Sequence, residues 1–146
     1  MEKKETAIAT VQPENIGALQ AQGVGASYCS IKADPADRDA AGRVFNALNN
    51  PEHRVADFIN KKISVKDVLV EIAEVVNEDT GEVEQAPRVV LIDEKGEAYQ
   101  SVSVGMFTAV KNAIKVFGAP TWEPPLGIVI KQKAVGKGSM LTFDIG

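Results

Sequence analysis

The sequence is poor in the residues from which catalytic and metal sites are usually built. It has one cysteine, Cys29, and one histidine, His53, in 146 residues. A lone cysteine excludes an internal disulfide and fits a reducing compartment, and the pair cannot assemble a zinc-type cluster. No apolar run approaches the ~20 residues needed to span a bilayer. The opening Met1-Glu2-Lys3-Lys4-Glu5 lacks the apolar segment of a signal peptide. These absences predict a cytoplasmic protein with no cofactor, no metal and no membrane partner.

Catalytic motifs are missing as well. Ser101 and Ser103 have only His53 as a prospective base, and nothing in the sequence brings them together. Asp79-Thr80-Gly81-Glu82 lacks the spaced oxygen ligands of a calcium loop. Gly136-Lys137-Gly138-Ser139 lacks the remaining glycine and following helix of a phosphate loop, and reads as a hairpin tip. Asp34, Asp37 and Asp39 read as acids at a helix N-terminus. The expectation is a binding protein and not an enzyme.

What is present is an ordinary globular composition, with 45% apolar and 25% charged residues. Its length suits a single domain. Residues 1–26, rich in Ala, Gly and Gln, read as a loosely held arm ahead of a domain over 27–146. The net charge of −4 conceals a segregation. Residues 65–100 hold ten acids and three bases, whereas 101–137 hold five lysines and only Glu123 as an acid. A chain acidic overall can still bind a polyanion through a locally basic surface.

The elements organise around an amphipathic helix over Ser103–Phe117. Phe107, Val110, Ile114 and Phe117 recur every three or four residues, and Gly118 with Pro120 stops the run. Ahead of it, Tyr28 and Ile31 mark a short strand within 27–32. A helix is predicted from Asp34-Pro35 through Val44, Phe45 and Leu48 to Asn49, then a helical or turn segment over 53–60. Strands are predicted over Ile63–Val76, Val89–Ile92 and Ala98–Val102. An acidic loop, Asn77–Ala86, and an Asp93-Glu94-Lys95-Gly96 turn connect them. After the helix, a proline-rich linker with Trp122 leads to strands over Leu126–Val135 and Met140–Ile145. The order is three strands, one helix and two strands. That order matches a five-stranded OB-fold barrel with a helix between strands three and four, plus an N-terminal helical extension. A mixed α+β sheet under one covering helix is the competing arrangement.

Binding across such a barrel would use its strand two–three face and the hairpin joining strands four and five. That hairpin carries Lys131, Lys133 and Lys137, three ammonium groups able to track a phosphate backbone. Tyr28, Tyr99 and Trp122 are the candidate base-stacking rings; the alternative for each is burial in the core. Arg43 near Phe45, and Arg54, Lys61, Lys62 and Lys66 around Phe58, form a second basic and aromatic group, with Lys32 a further candidate cation. The alternative there is a solvated charged face. Arg88, opening strand two, is placed for a phosphate or a base. The acidic 77–86 loop would repel phosphate if it flanked the cleft, and could instead contact a partner protein.

Several segments resemble the small single-stranded DNA-binding proteins of bacteriophages and related mobile elements. They are Arg54-Val55-Ala56-Asp57-Phe58-Ile59-Asn60-Lys61-Lys62-Ile63, Val75-Val76-Asn77-Glu78-Asp79-Thr80-Gly81-Glu82, Pro87-Arg88-Val89-Val90-Leu91-Ile92-Asp93 and Pro120-Thr121-Trp122-Glu123-Pro124-Pro125. The resemblance spans residues 43–146 and lies in whole segments, with no short diagnostic motif. It implies an OB-fold protein that coats and protects single-stranded DNA during replication without sequence preference, with a homo-oligomer or replication proteins as further partners. The chain ends at Asp144-Ile145-Gly146, without the acidic tail of bacterial cellular members. The second functional reading is a non-enzymatic protein–protein adaptor or structural subunit on the same barrel.

Overall fold

The computed structural model describes Ile16 and residues 27–31, 36–136 and 138–146. The expected helix start at Asp34-Pro35, Lys32, Lys137 and the arm apart from Ile16 lie outside those residues. The protein is mainly β: the described residues form a curled half-barrel sheet with two α-helices. In chain order the described elements are β1 (Ser27–Cys29), α1 (Arg38–Asn49), β2 (His53–Arg54), β3 (Lys62–Val76), β4 (Val83–Asp93), β5 (Ala98–Ser101), α2 (Val104–Phe117), β6 (Leu126–Val135) and β7 (Gly138–Ile145). A 3₁₀ turn, Val55–Phe58, follows β2.

Local chemistry explains the boundaries. Asp37 caps α1 by accepting from the Ala40 N–H at 3.1 Å, and Ser103 caps α2 by accepting from Met106 N–H at 3.4 Å. Gly118 ends α2 at φ 87°, where only glycine is unstrained. Asn77 closes the β3–β4 turn by accepting from Asp79 N–H and Thr80 N–H. Gly81 sits there at φ 74°.

The sheet runs β2-β5-β4-β3-β6-β7, with β1 pairing β3 beside β6. It contains seven strands instead of five. Among the described residues β5 and β7 do not pair, so the sheet is curled but not closed. Strand β4 begins at Val83, earlier than expected, and takes in Pro87, opposite Ile72. Proline is tolerated because β5 reaches only to Val89, leaving the outer edge of β4 without a partner there.

The sheet carries two apolar layers. On one face Val68, Val70, Ile72, Val89, Leu91 and Ile130 meet Met106, Phe107, Val110 and Ile114 of α2, and Ile16 joins them. On the other face Leu69, Val90, Ile92 and Ala98 are covered by Val44, Ala47 and Leu48 of α1. Gly105 lets α2 approach β7 closely: a Cβ there would collide with the Leu141 carbonyl oxygen. The apolar stripe of α2 ends one turn early, since Phe117 is 48% exposed. On β7, Leu141 and Phe143 pack against the core, while Ile145 is exposed. No described helix is long and apolar enough to cross a membrane.

Candidate nucleic-acid interface

The expected face across the second and third strands of the barrel order, here β4 and β5, is already occupied. Val90, Ile92 and Ala98 form its apolar surface, and α1 seals them. Arg88 fastens that seal. Its guanidinium donates to Glu71 Oε2 at 2.8 Å, to the Leu48 carbonyl at 2.7 Å and to Gln100 Oε1 at 3.1 Å. With its side chain only 15% exposed, Arg88 is engaged inside the fold and is not free to meet a phosphate.

The three rings singled out for stacking are also withdrawn from the surface. Tyr28 is buried where β1 pairs β3. Burial, with Cys29 and Asp67 close by, pushes its phenol up to about 12. Tyr99 is packed between His53 and Phe58, with ring centroids at 4.6 and 4.9 Å, and its hydroxyl donates to Asp93 Oδ2 at 2.9 Å. Burial first, then that bond and neighbouring acids, raise its pKa above the ordinary tyrosine value. Trp122 is 8% exposed, and its indole N–H donates to the Gly118 carbonyl. The polar tips of Tyr99 and Trp122 are bonded inside, and all three rings are buried, so they present no open face to a base. Cys29 is half-buried, its Sγ–H donates to the Ile31 carbonyl at 3.2 Å, and burial raises its thiol.

The predicted cations divide by environment. Arg54 is exposed but paired with Asp57 at 3.2 Å. Lys66, at the β3 irregularity, lies 3.9 Å from Glu123. Lys66 and Arg43 line a groove of about 990 Å³ together with Glu52, Asp93, Glu94 and Glu123. That groove carries more acid than base, so it does not favour a polyanion.

The remaining residues converge. Backbone bonds from Asn60 N–H to the Ile130 carbonyl, 2.7 Å, and from Ile130 N–H to the Lys61 carbonyl, 3.2 Å, tie the segment after the 3₁₀ turn to β6. Asn60 makes this corner at φ 68°. It sets Phe58 and Lys61 beside the middle of β6, with Lys61 Nζ 5.7 Å from the Phe58 ring centroid. Pairing of Lys62 with Val129 places Lys62 on the same outer face as Lys131 and Lys133. Its stem crosses Gly127. The result is a lysine stripe of about 13 Å, four residues of strand rise from Val129, opposite Lys62, to Lys133. Val129, Thr142 and Met140 are interleaved, and Asp144 is the one acid among the paired positions. None of Lys61, Lys62, Lys131 and Lys133 is ion-paired.

Two rings are open: Phe45, on α1 beside Arg43, is 61% exposed, and Phe117, expected on the buried stripe of α2, is 48% exposed. Phe45 is ambiguous in the sequence, since it directly follows Val44, which packs inward. The spacing of apolar residues along 40–48 was the available signal: Ala40, Val44, Ala47 and Leu48 define the inward face without Phe45.

Comparison with curated proteins and with solved structures gave no match. A sequence model of the Phi29-type family, described as phage single-stranded DNA-binding protein, matches residues 27–146 and so takes in every described strand, both helices and the lysine stripe. The chain belongs to the Phi29-type family of phage single-stranded DNA-binding proteins.

Proposed function

We propose that this protein coats single-stranded DNA without sequence preference and protects it during phage DNA replication, using the outer face of β6 and the Phe58–Lys61 corner. The single observation behind this placement is a row of ammonium groups without ion partners on one sheet face, Lys62, Lys131 and Lys133, with the half-buried Phe58 ring and Lys61 tied beside the middle of β6. Such a face offers charge to phosphates and no fixed hydrogen-bond pattern to base edges, which suits sequence-independent binding. The strand order β5-β4-β3-β6-β7 also supports an OB-type sheet left open between its third and fifth strands.

The test is a titration of end-labelled oligothymidine followed by polarisation at several salt concentrations. A labelled strand is used because Trp122 is buried and its emission will report little. Binding should weaken steeply with salt. In K131A/K133A the slope of log K against log salt should shrink by about 1.4, from two lost contacts at ~0.7 each on single strands, equally for thymidine-rich and mixed sequences. An unchanged slope, or a loss confined to one sequence, rejects this placement.

A further inference from the structure

Two β-ribbons extend past the packed core and carry opposite charge. In the first, the distal β3–β4 hairpin, Val76 and Val83 are cross-strand partners, each more than 60% exposed. They form an exposed apolar pair that no described residue covers. Around it lie Glu74, Glu78, Asp79, Glu82 and Glu84, with no basic residue between 72 and 87. None of these acids is in an ion pair. Along 83–88 the outer edge of β4 has no strand partner among the described residues. The second ribbon, the β6–β7 hairpin, bears Lys131 and Lys133 with Met140 directly across from Lys133 and 38% exposed. Residues 131–140 contain no acid.

We propose that the occupant of the acidic ribbon is the basic ribbon of a second copy of this chain. The two surfaces are complementary in kind: carboxylates without cationic partners around a valine pair on one, ammonium groups without anionic partners around a methionine on the other. Like-charged ribbons would repel, so acidic-to-acidic and basic-to-basic contacts are excluded. The contact joins unlike patches, and a pair joined by one such contact still offers one free ribbon of each sign, so that further copies add head to tail. The inference rests on the reading that the β6–β7 face binds polyanions, and adds that the acidic ribbon of a neighbour is one of them. Single-stranded DNA and the neighbouring ribbon then compete for the same lysines.

Sedimentation velocity on the full chain at low salt, across a range of protein concentrations, tests this. Mass should rise above the monomer with concentration, and fall when salt or oligothymidine is added. E78Q/E82Q/E84Q should weaken self-association about tenfold or more while still binding oligothymidine. In the decisive pair, E78K/E82K/E84K and K131E/K133E are each monomeric alone and associate when mixed. A wild-type chain that stays monomeric at low salt overturns the inference. So does self-association that survives the glutamine substitutions, or a mixture that stays dissociated. Loss of oligothymidine binding in the wild type would instead strike the functional reading beneath it, and is scored separately by polarisation.

Discussion

Arg88→Ala separates a structural arginine from a DNA-contacting one. In the folded chain the guanidinium binds Glu71, Gln100 and the Leu48 carbonyl, and so ties α1 to the sheet across β3, β4 and β5. Removing it leaves a carboxylate, an amide and a helix-terminal carbonyl without their donor. Breaking a buried charge pair costs about 3–5 kcal/mol. The Glu71 side chain is 36% exposed, so water recovers part of the loss and the low end, about 3 kcal/mol, applies. With a urea slope of about 2 kcal/mol per molar, the unfolding midpoint should fall by roughly 1.5 M. Equilibrium urea unfolding followed by circular dichroism measures it. Under conditions where the variant remains folded, oligothymidine affinity should stay within about twofold of wild type. A variant with an unchanged midpoint and a tenfold weaker affinity would refute the structural assignment and return Arg88 to the DNA.

Two further expectations follow from packing and burial. Gly105→Ala should lose about 2–3 kcal/mol, because its methyl group would collide with the Leu141 backbone and force α2 away from β7; thermal unfolding reads this, and a wild-type midpoint would contradict the close approach. Tyr28 and Tyr99 both titrate higher in the fold than the ordinary value of 10, so deprotonation favours unfolding. Their contribution is intact below pH 10 and is lost as pH rises from 10 towards 12 and beyond, at about 1.4 kcal/mol per pH unit per phenol. Phenolate absorbance and urea midpoints measured together across that range should change together, and phenols that ionise freely in the intact fold would contradict their burial.

The regular elements were legible because their periods are strong. The alternation in 126–135 and the three-to-four spacing of Phe107, Val110 and Ile114 match β6 and α2. The covering of β4 by α1 was less visible, although a signal existed. Val89-Val90-Leu91-Ile92 is apolar at every position, the mark of a strand buried on both faces, and only Val44, Ala47 and Leu48 were left to cover the second. The roles of the rings were not legible at all. Nothing local tells that Tyr99 will find Asp93 or that Trp122 will find the Gly118 carbonyl, since both partners are set by the tertiary path. The cations sorted for a similar reason. Arg54 and Asp57 were readable as neighbours, whereas the union of Lys62 with Lys131 depends on β3–β6 register.

The central claim is that single-stranded DNA lies along the outer face of β6. Ultraviolet crosslinking of oligothymidine to the intact protein, with the attached peptides identified by mass spectrometry, tests it most directly. Crosslinks should fall within residues 58–62 and 129–142. Crosslinks concentrated instead in α1 and the groove beneath it, at Arg43, Phe45 or Lys95, would place the strand on the opposite side and contradict the account.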